Sequence, residues 1–212
     1  MAIVQVRRFH RHPVQGWGSH QPLQSHRVHV AGAILANATA RLRPLPGDFA
    51  VFLGETRLLW SAVHAGPGVQ LRFRDSLSRA SSHVQRFVSE GAALAVTTSL
   101  ADQYGWRLSR GLPVHVDLAF NWSGPRPDLI FPVASMRRIA AESRGRKVAK
   151  PAKTIRKAQT DRLSELEQWQ ASPNGSQWFM AWCWFTPGQT VVDFFDPGEP
   201  VRLEPVIQRV AN

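Results

Sequence analysis

Eight consecutive apolar side chains, Trp178 to Phe185, constrain this chain more than any other feature. A strand with one wet face alternates apolar and polar residues. This run must therefore be buried on both faces or hold an aromatic patch ready for a partner. Trp178, Trp182 and Trp184 lie on one face, and Phe179, Ala181, Cys183 and Phe185 on the other. Beyond Pro187-Gly188, Thr190–Phe195 repeats the two-sided pattern, Val191 and Phe195 opposing Val192 and Phe194. The pair reads as a C-terminal β-hairpin. One face is expected to pack on a helix through Leu163, Leu166 and Trp169, the other on the body of the fold or on a second copy of the chain. The run falls far short of the roughly 20 residues of a membrane span, so no membrane partner is expected.

The remaining periodicities predict an α+β fold, a mainly antiparallel sheet with one or two packed helices. Residues 1–30, broken by Pro13, Gly16, Gly18 and Pro22, read as an irregular basic, histidine-rich arm with a short opening strand at Ile3–Val6. Residues 31–134 read as an α+β body. Phe49–Leu53, Thr56–Val63 and the alternating Val69–Asp75 are predicted strands, followed by a helix over Ser76–Glu90 that Gly91 closes. A strand at Ala92–Thr98, a hairpin over Gly105–Ser109 and Pro113–Trp122, and a strand at Leu129–Ala134 complete the body. Residues 135–172 read as a basic helical segment: Met136–Lys147, weakened by Gly145, then a second helix opening at Pro151 and ending near Gln170. Residues 173–212 read as a β-rich element packing back on the body, with a last strand at Val201–Val210.

Charge is unevenly spread. The net charge of +11 divides into +6 for residues 1–47, +1 for 48–135, +8 for 136–162 and −4 for 163–212. All four lysines, Lys147, Lys150, Lys153 and Lys157, fall in the third segment with Arg137, Arg138, Arg144, Arg146 and Arg156. Such clustering is the footprint of a polyanion, and nucleic acid (DNA or RNA) held through its phosphates is the expected partner. In a helix over 151–170, Lys153, Arg156 and Lys157 occupy the first turns, against the helix dipole; a bound phosphate reverses that penalty. Arg72 and Arg74, outward on their predicted strand, offer a second contact. Trp60, Trp106 and Trp122 are read as core.

Catalytic motifs are sparse. The lone Cys183 excludes an internal disulfide and a cysteine-rich zinc cage, which fits a reducing, cytoplasmic compartment. The N-terminus has no apolar stretch of the secretory kind. His10, His12, His20, His26 and His29 have no Cys, Asp or Glu among them before Asp48, so no metal or cofactor is expected. Pro127-Asp128, followed after 13 residues by Glu142-Ser-Arg144, resembles the pattern of restriction-type metal nucleases, whose carboxylates hold Mg²⁺ and whose lysine steadies the nucleophile. Two departures stand against it: Arg144 replaces the lysine, and Glu142 lies in a stretch read as helix. The reading is a nucleic-acid-binding protein with weak sequence preference and a regulatory or accessory role. Arginine-rich usage suggests a bacterial, plasmid or phage source. The alternatives are an adaptor or homo-oligomeric assembly subunit using the 178–195 hairpin, and third a metal-dependent nuclease built on Asp128 and Glu142.

Overall fold

The computed structural model describes residues 1–12, 16–19, 22–34, 48–104, 114–115, 127–132, 138–173 and 175–198. It is an α+β fold around one mixed sheet. The strands are β1 (Ala2–His12), β2 (Gly16–Ser19), β3 (Gln24–Val28), β6 (Val114–His115), β7 (Leu129–Pro132), β8 (Arg138–Lys147), β9 (Gln177–Phe185) and β10 (Thr190–Asp196). They run in the order β2-β1-β10-β9-β8-β7-β6, with β3 also on β1. A separate two-stranded ribbon joins β4 (Val63–His64) to β5 (Arg72–Phe73). The helices are α1 (Asp48–Ala62), α2 (Ser82–Gln103) and α3 (Lys157–Ala171), with a 3₁₀ turn over Asp75–Arg79 and a short helical stretch over 30–34.

The apolar run becomes β9, buried from Trp178 to Phe185, and β10 is buried throughout. Both strands are central, with a helical layer on each side. Phe179, Ala181, Cys183 and Phe185 join the core under α1 and α2. Trp178, Met180, Trp182 and Trp184 join Leu163, Leu166 and Trp169 of α3 in a second core on the opposite face. β9 pairs antiparallel with β10 but parallel with β8, and α3 supplies the crossover that parallel neighbours need.

Several elements differ from expectation. The arm is not irregular: β1 pairs parallel with β10 and antiparallel with β2 and β3. Its Ala2, Val4 and Val6 are buried, and Arg7, Arg8 and Arg11 meet Asp193, Asp196 and Glu167 in ion pairs of 2.6, 2.7 and 3.3 Å. Three of the six arginines of residues 1–47 are thus paired with acids of the C-terminal part. Where two strands were expected over 49–63, the chain forms α1 as far as Ala62, and only Val63 is strand, in β4; Val69–Asp75 contributes only the short β5. The helix expected from Ser76 starts later, with Ser81 as N-cap accepting from the Val84 amide at 3.4 Å, and runs straight through the strand expected at Ala92–Thr98. Gly91 therefore closes no helix; a Cβ there would sit 2.7 Å from Leu59 Cδ2 of α1.

The basic segment changes most. Arg138–Lys147 is not helical but forms β8, paired to β7 on one side and β9 on the other. Gly145 is needed there because a Cβ would lie 1.9 Å from the Ser89 carbonyl oxygen of α2. Residues 151–156 are non-helical and α3 begins only at Lys157, so Pro151 does not open it and Lys153 stands outside it. The hairpin expected over 105–122 lies outside the described residues except β6, and the strand expected at Val201–Val210 lies outside them altogether.

Candidate functional site

Residues on β8 alternate between the two layers. Ile139 and Ala141 belong to the core on the α2 side and Ala140 to the core on the α3 side. Period two then sends Glu142 and Arg144 toward α3, and Ser143, Gly145 and Lys147 toward α2. The contacts agree: Ser143 Oγ lies 2.8 Å from Thr97 Oγ1 of α2, and Lys147 Nζ lies 3.3 Å from Gln85 Oε1.

Asp128, at the entry to β7, is held beside Glu142. Its amide donates to the Ala141 carbonyl at 3.0 Å, and its Oδ2 accepts from the Ser143 amide at 2.9 Å, so its bonds bracket position 142. Glu142 is fully buried. Arg162 Nη2 of α3 donates to its Oε2 at 2.7 Å, and Arg144 Nε stands 2.8 Å from its Oε1. That second approach is an ion pair in distance only, outside hydrogen-bond geometry, so Oε1 is a buried oxygen with no hydrogen-bond donor. Arg162 also reaches Glu165 one turn on, forming a chain of acid, base and acid. Burial, and then the nearby Asp128 charge, push the Glu142 carboxyl up to about 7 despite both arginines. Asp128 and Glu142 are thus two acids held close together, with the guanidiniums of Arg144 and Arg162 facing Glu142.

The expected phosphate contacts divide into three groups. Arg146, Lys147, Lys150, Lys153, Arg156 and Lys157 are exposed along the end of β8 and the segment leading into α3. Lys157 pairs with Asp161 at 2.9 Å, an exposed i,i+4 contact that costs a phosphate little to displace. Arg144 is turned inward to Glu142, though a third of its side chain reaches solvent. Arg137 lies outside the described residues, and Arg138 is described as the first residue of β8 without its side chain. Arg74 is exposed and Arg72 half-buried; Arg74 and Lys147 line one cleft, so the two separately expected contact sets meet there.

A buried polar network fixes the exposed cations in place. Arg7 donates to the carbonyls of Ala152 and Lys153 at 2.8 and 3.0 Å while holding Asp193. Gln159 Nε2 donates to Asp193 Oδ2 at 3.0 Å, and Gln159 Oε1 accepts from the Arg156 amide at 2.8 Å. The basic segment is thus fastened by its backbone, leaving its charged tips outward.

No family model, curated protein or solved structure matches the chain. Sequence reasoning paired Asp128 with Glu142 but overlooked Arg162, whose only signal was its place beside Leu163 and Leu166 on the apolar stripe of α3. Among the described residues, no three His, Cys, Asp or Glu side chains gather as a metal-ligand set. A Mg²⁺ ion does not require three, since it is commonly held by one or two carboxylates with water and substrate phosphate completing its shell.

Proposed function

We propose that the chain binds nucleic acid through the phosphates, along Arg146–Lys157, and hydrolyses phosphodiesters with a divalent cation at Asp128 and Glu142. One observation carries the reading: Asp128 and Glu142, 14 positions apart in sequence, stand together where β7 and β8 pair, with the Glu142 Oε1 left undonated. The strand position of Glu142 removes one of the two departures from the nuclease pattern, and Arg144 in place of lysine remains.

Such a cation would take the place of the Arg144 guanidinium, which now stands 2.8 Å from Glu142 Oε1. Asp128 and the undonated Glu142 Oε1 would be its protein ligands, and charge on the ion stabilises Glu142 as carboxylate against its burial. When bound, the ion polarises the phosphoryl group and lowers the pKa of a water nucleophile. Arg162 holds the second Glu142 oxygen and so sets the carboxylate's orientation. Arg144 stands where the pattern has lysine. Its partly exposed guanidinium can turn from Glu142 to an incoming phosphate, matching two oxygens in its planar fork. The exposed cations beyond β8 supply the non-specific affinity that draws the backbone across the site.

The test is conversion of supercoiled plasmid, or cleavage of a labelled single strand, with Mg²⁺ or Mn²⁺ against EDTA. Cation-dependent cleavage lost in Asp128→Ala and Glu142→Gln supports the assignment. Nucleic-acid binding without cleavage under any of these conditions reduces the function to binding alone. The adaptor reading rests on an exposed aromatic face of the hairpin, and both hairpin strands are buried apart from Gln177 at the start of β9.

A further inference from the structure

We infer that the cleft between the end of β8, the β9–β10 turn and the 3₁₀ turn is a second site, one that takes a nucleoside phosphate. Its volume of about 430 Å³ lies toward the lower end of the roughly 300–1,000 Å³ of ligand sites. It sits on the face of the sheet opposite the acidic pair, because Lys147 faces α2 while Glu142 faces α3.

The lining has two chemistries. Its floor is apolar, with Phe73 and Phe185 stacked at a centroid distance of 4.3 Å and Val148 and Pro187 beside them. Its rim is cationic: Arg74 and Lys147 are both exposed, against a single acid, Asp75. Arg74 Nε donates to the Val63 carbonyl at 3.2 Å, which steers the guanidinium, while Lys147 is placed by Gln85. A simple anion has no use for the floor, and an uncharged ring has no use for the rim. A flat heteroaromatic ring joined to a phosphate uses both, and the Ser78 and Thr186 hydroxyls, whose protons go to the Asp75 and Gln189 carbonyls, can still accept from its sugar or base edge. The ligand is either a free nucleotide or the phosphorylated end of a strand.

Calorimetry on the full chain in EDTA separates this claim from the cation-dependent one, since neither Asp128 nor Glu142 nor a metal takes part. The probes are the four nucleoside monophosphates, their nucleosides, inorganic phosphate, and a short 5′-phosphorylated single strand. At least one monophosphate is expected to bind about tenfold or more tighter than its nucleoside or phosphate, and to raise the melting temperature. Arg74→Gln and Lys147→Gln, both at exposed positions, should each weaken it by about tenfold. Displacement of the monophosphate by the oligonucleotide identifies a strand end as the ligand; failure to displace it identifies the free nucleotide. Equal affinity for phosphate and monophosphates, no binding of any probe, or affinity unchanged in both variants overturns the inference.

Discussion

Arg7 of β1 and Asp193 of β10 are joined by a 2.6 Å ion pair across 186 positions of sequence. Asp193 is fully buried and also accepts from Gln159 and from Trp184 Nε1, the latter at 2.8 Å. Asp193→Ala would leave three donors without their acceptor and a largely buried guanidinium unpaired. Urea denaturation should show a loss of about 3–5 kcal/mol. A loss below about 1 kcal/mol would show that the network does not hold β1, β10 and α3 together.

Glu142 makes stability depend on pH in a defined sense. Its carboxyl is raised to about 7 in the fold, so between roughly pH 4.5 and 7 the folded chain keeps a proton that the unfolded chain has lost. Stability from this group is full at low pH and falls by up to about 1.4 kcal/mol per pH unit across that window. The stability of wild type minus that of Glu142→Gln in metal-free buffer isolates the effect, and this signed quantity should fall as pH rises through the window. A wild type that gains stability relative to Glu142→Gln as pH rises contradicts the burial argument.

Trp182 is nearly buried between α3 and the sheet. Trp182→Ala should cost about 3–5 kcal/mol in the isolated chain. Light scattering on wild type and variant adds the association state. Unchanged stability with loss of an oligomer would instead favour the adaptor reading.

The hairpin was legible because eight apolar residues leave a strand no wet face, and Leu163, Leu166 and Trp169 announced the helix that covers it. Phe49–Leu53 was ambiguous in kind, since a short apolar run suits a strand or a buried helix equally. Ala92–Thr98 misled for a related reason: α2 is buried on nearly every side there, so its small apolar residues show no helical period. Ile139-Ala-Ala-Glu142 favours helix by propensity, and pairing with β7 and β9 overrides it. β1 was hidden by its arginines, whose partners lie 156 to 188 positions away, beyond the reach of any local pattern. The Asp128–Glu142 pair could be named from sequence, but only the strand register brings the two together.

The exposed lysines should govern affinity for nucleic acid. Changing Lys147, Lys150, Lys153 and Lys157 together to Gln is expected to weaken binding at least about tenfold and flatten the log–log salt slope by about 3–4. Fluorescence anisotropy at several salt concentrations reads both. An unchanged slope would move the interface elsewhere.

The most direct measurement is single-turnover cleavage of labelled nucleic acid by wild type and Asp128→Asn, with Mg²⁺, with Mn²⁺ and with EDTA. Salt-dependent binding is followed in the same samples as the control for folding. The prediction is cleavage only with a divalent cation, slowed by about 10²-fold or more in Asp128→Asn while binding persists. Cation-dependent cleavage at equal rates in both proteins, or none in wild type that binds its substrate, would contradict a hydrolytic centre at Asp128 and Glu142.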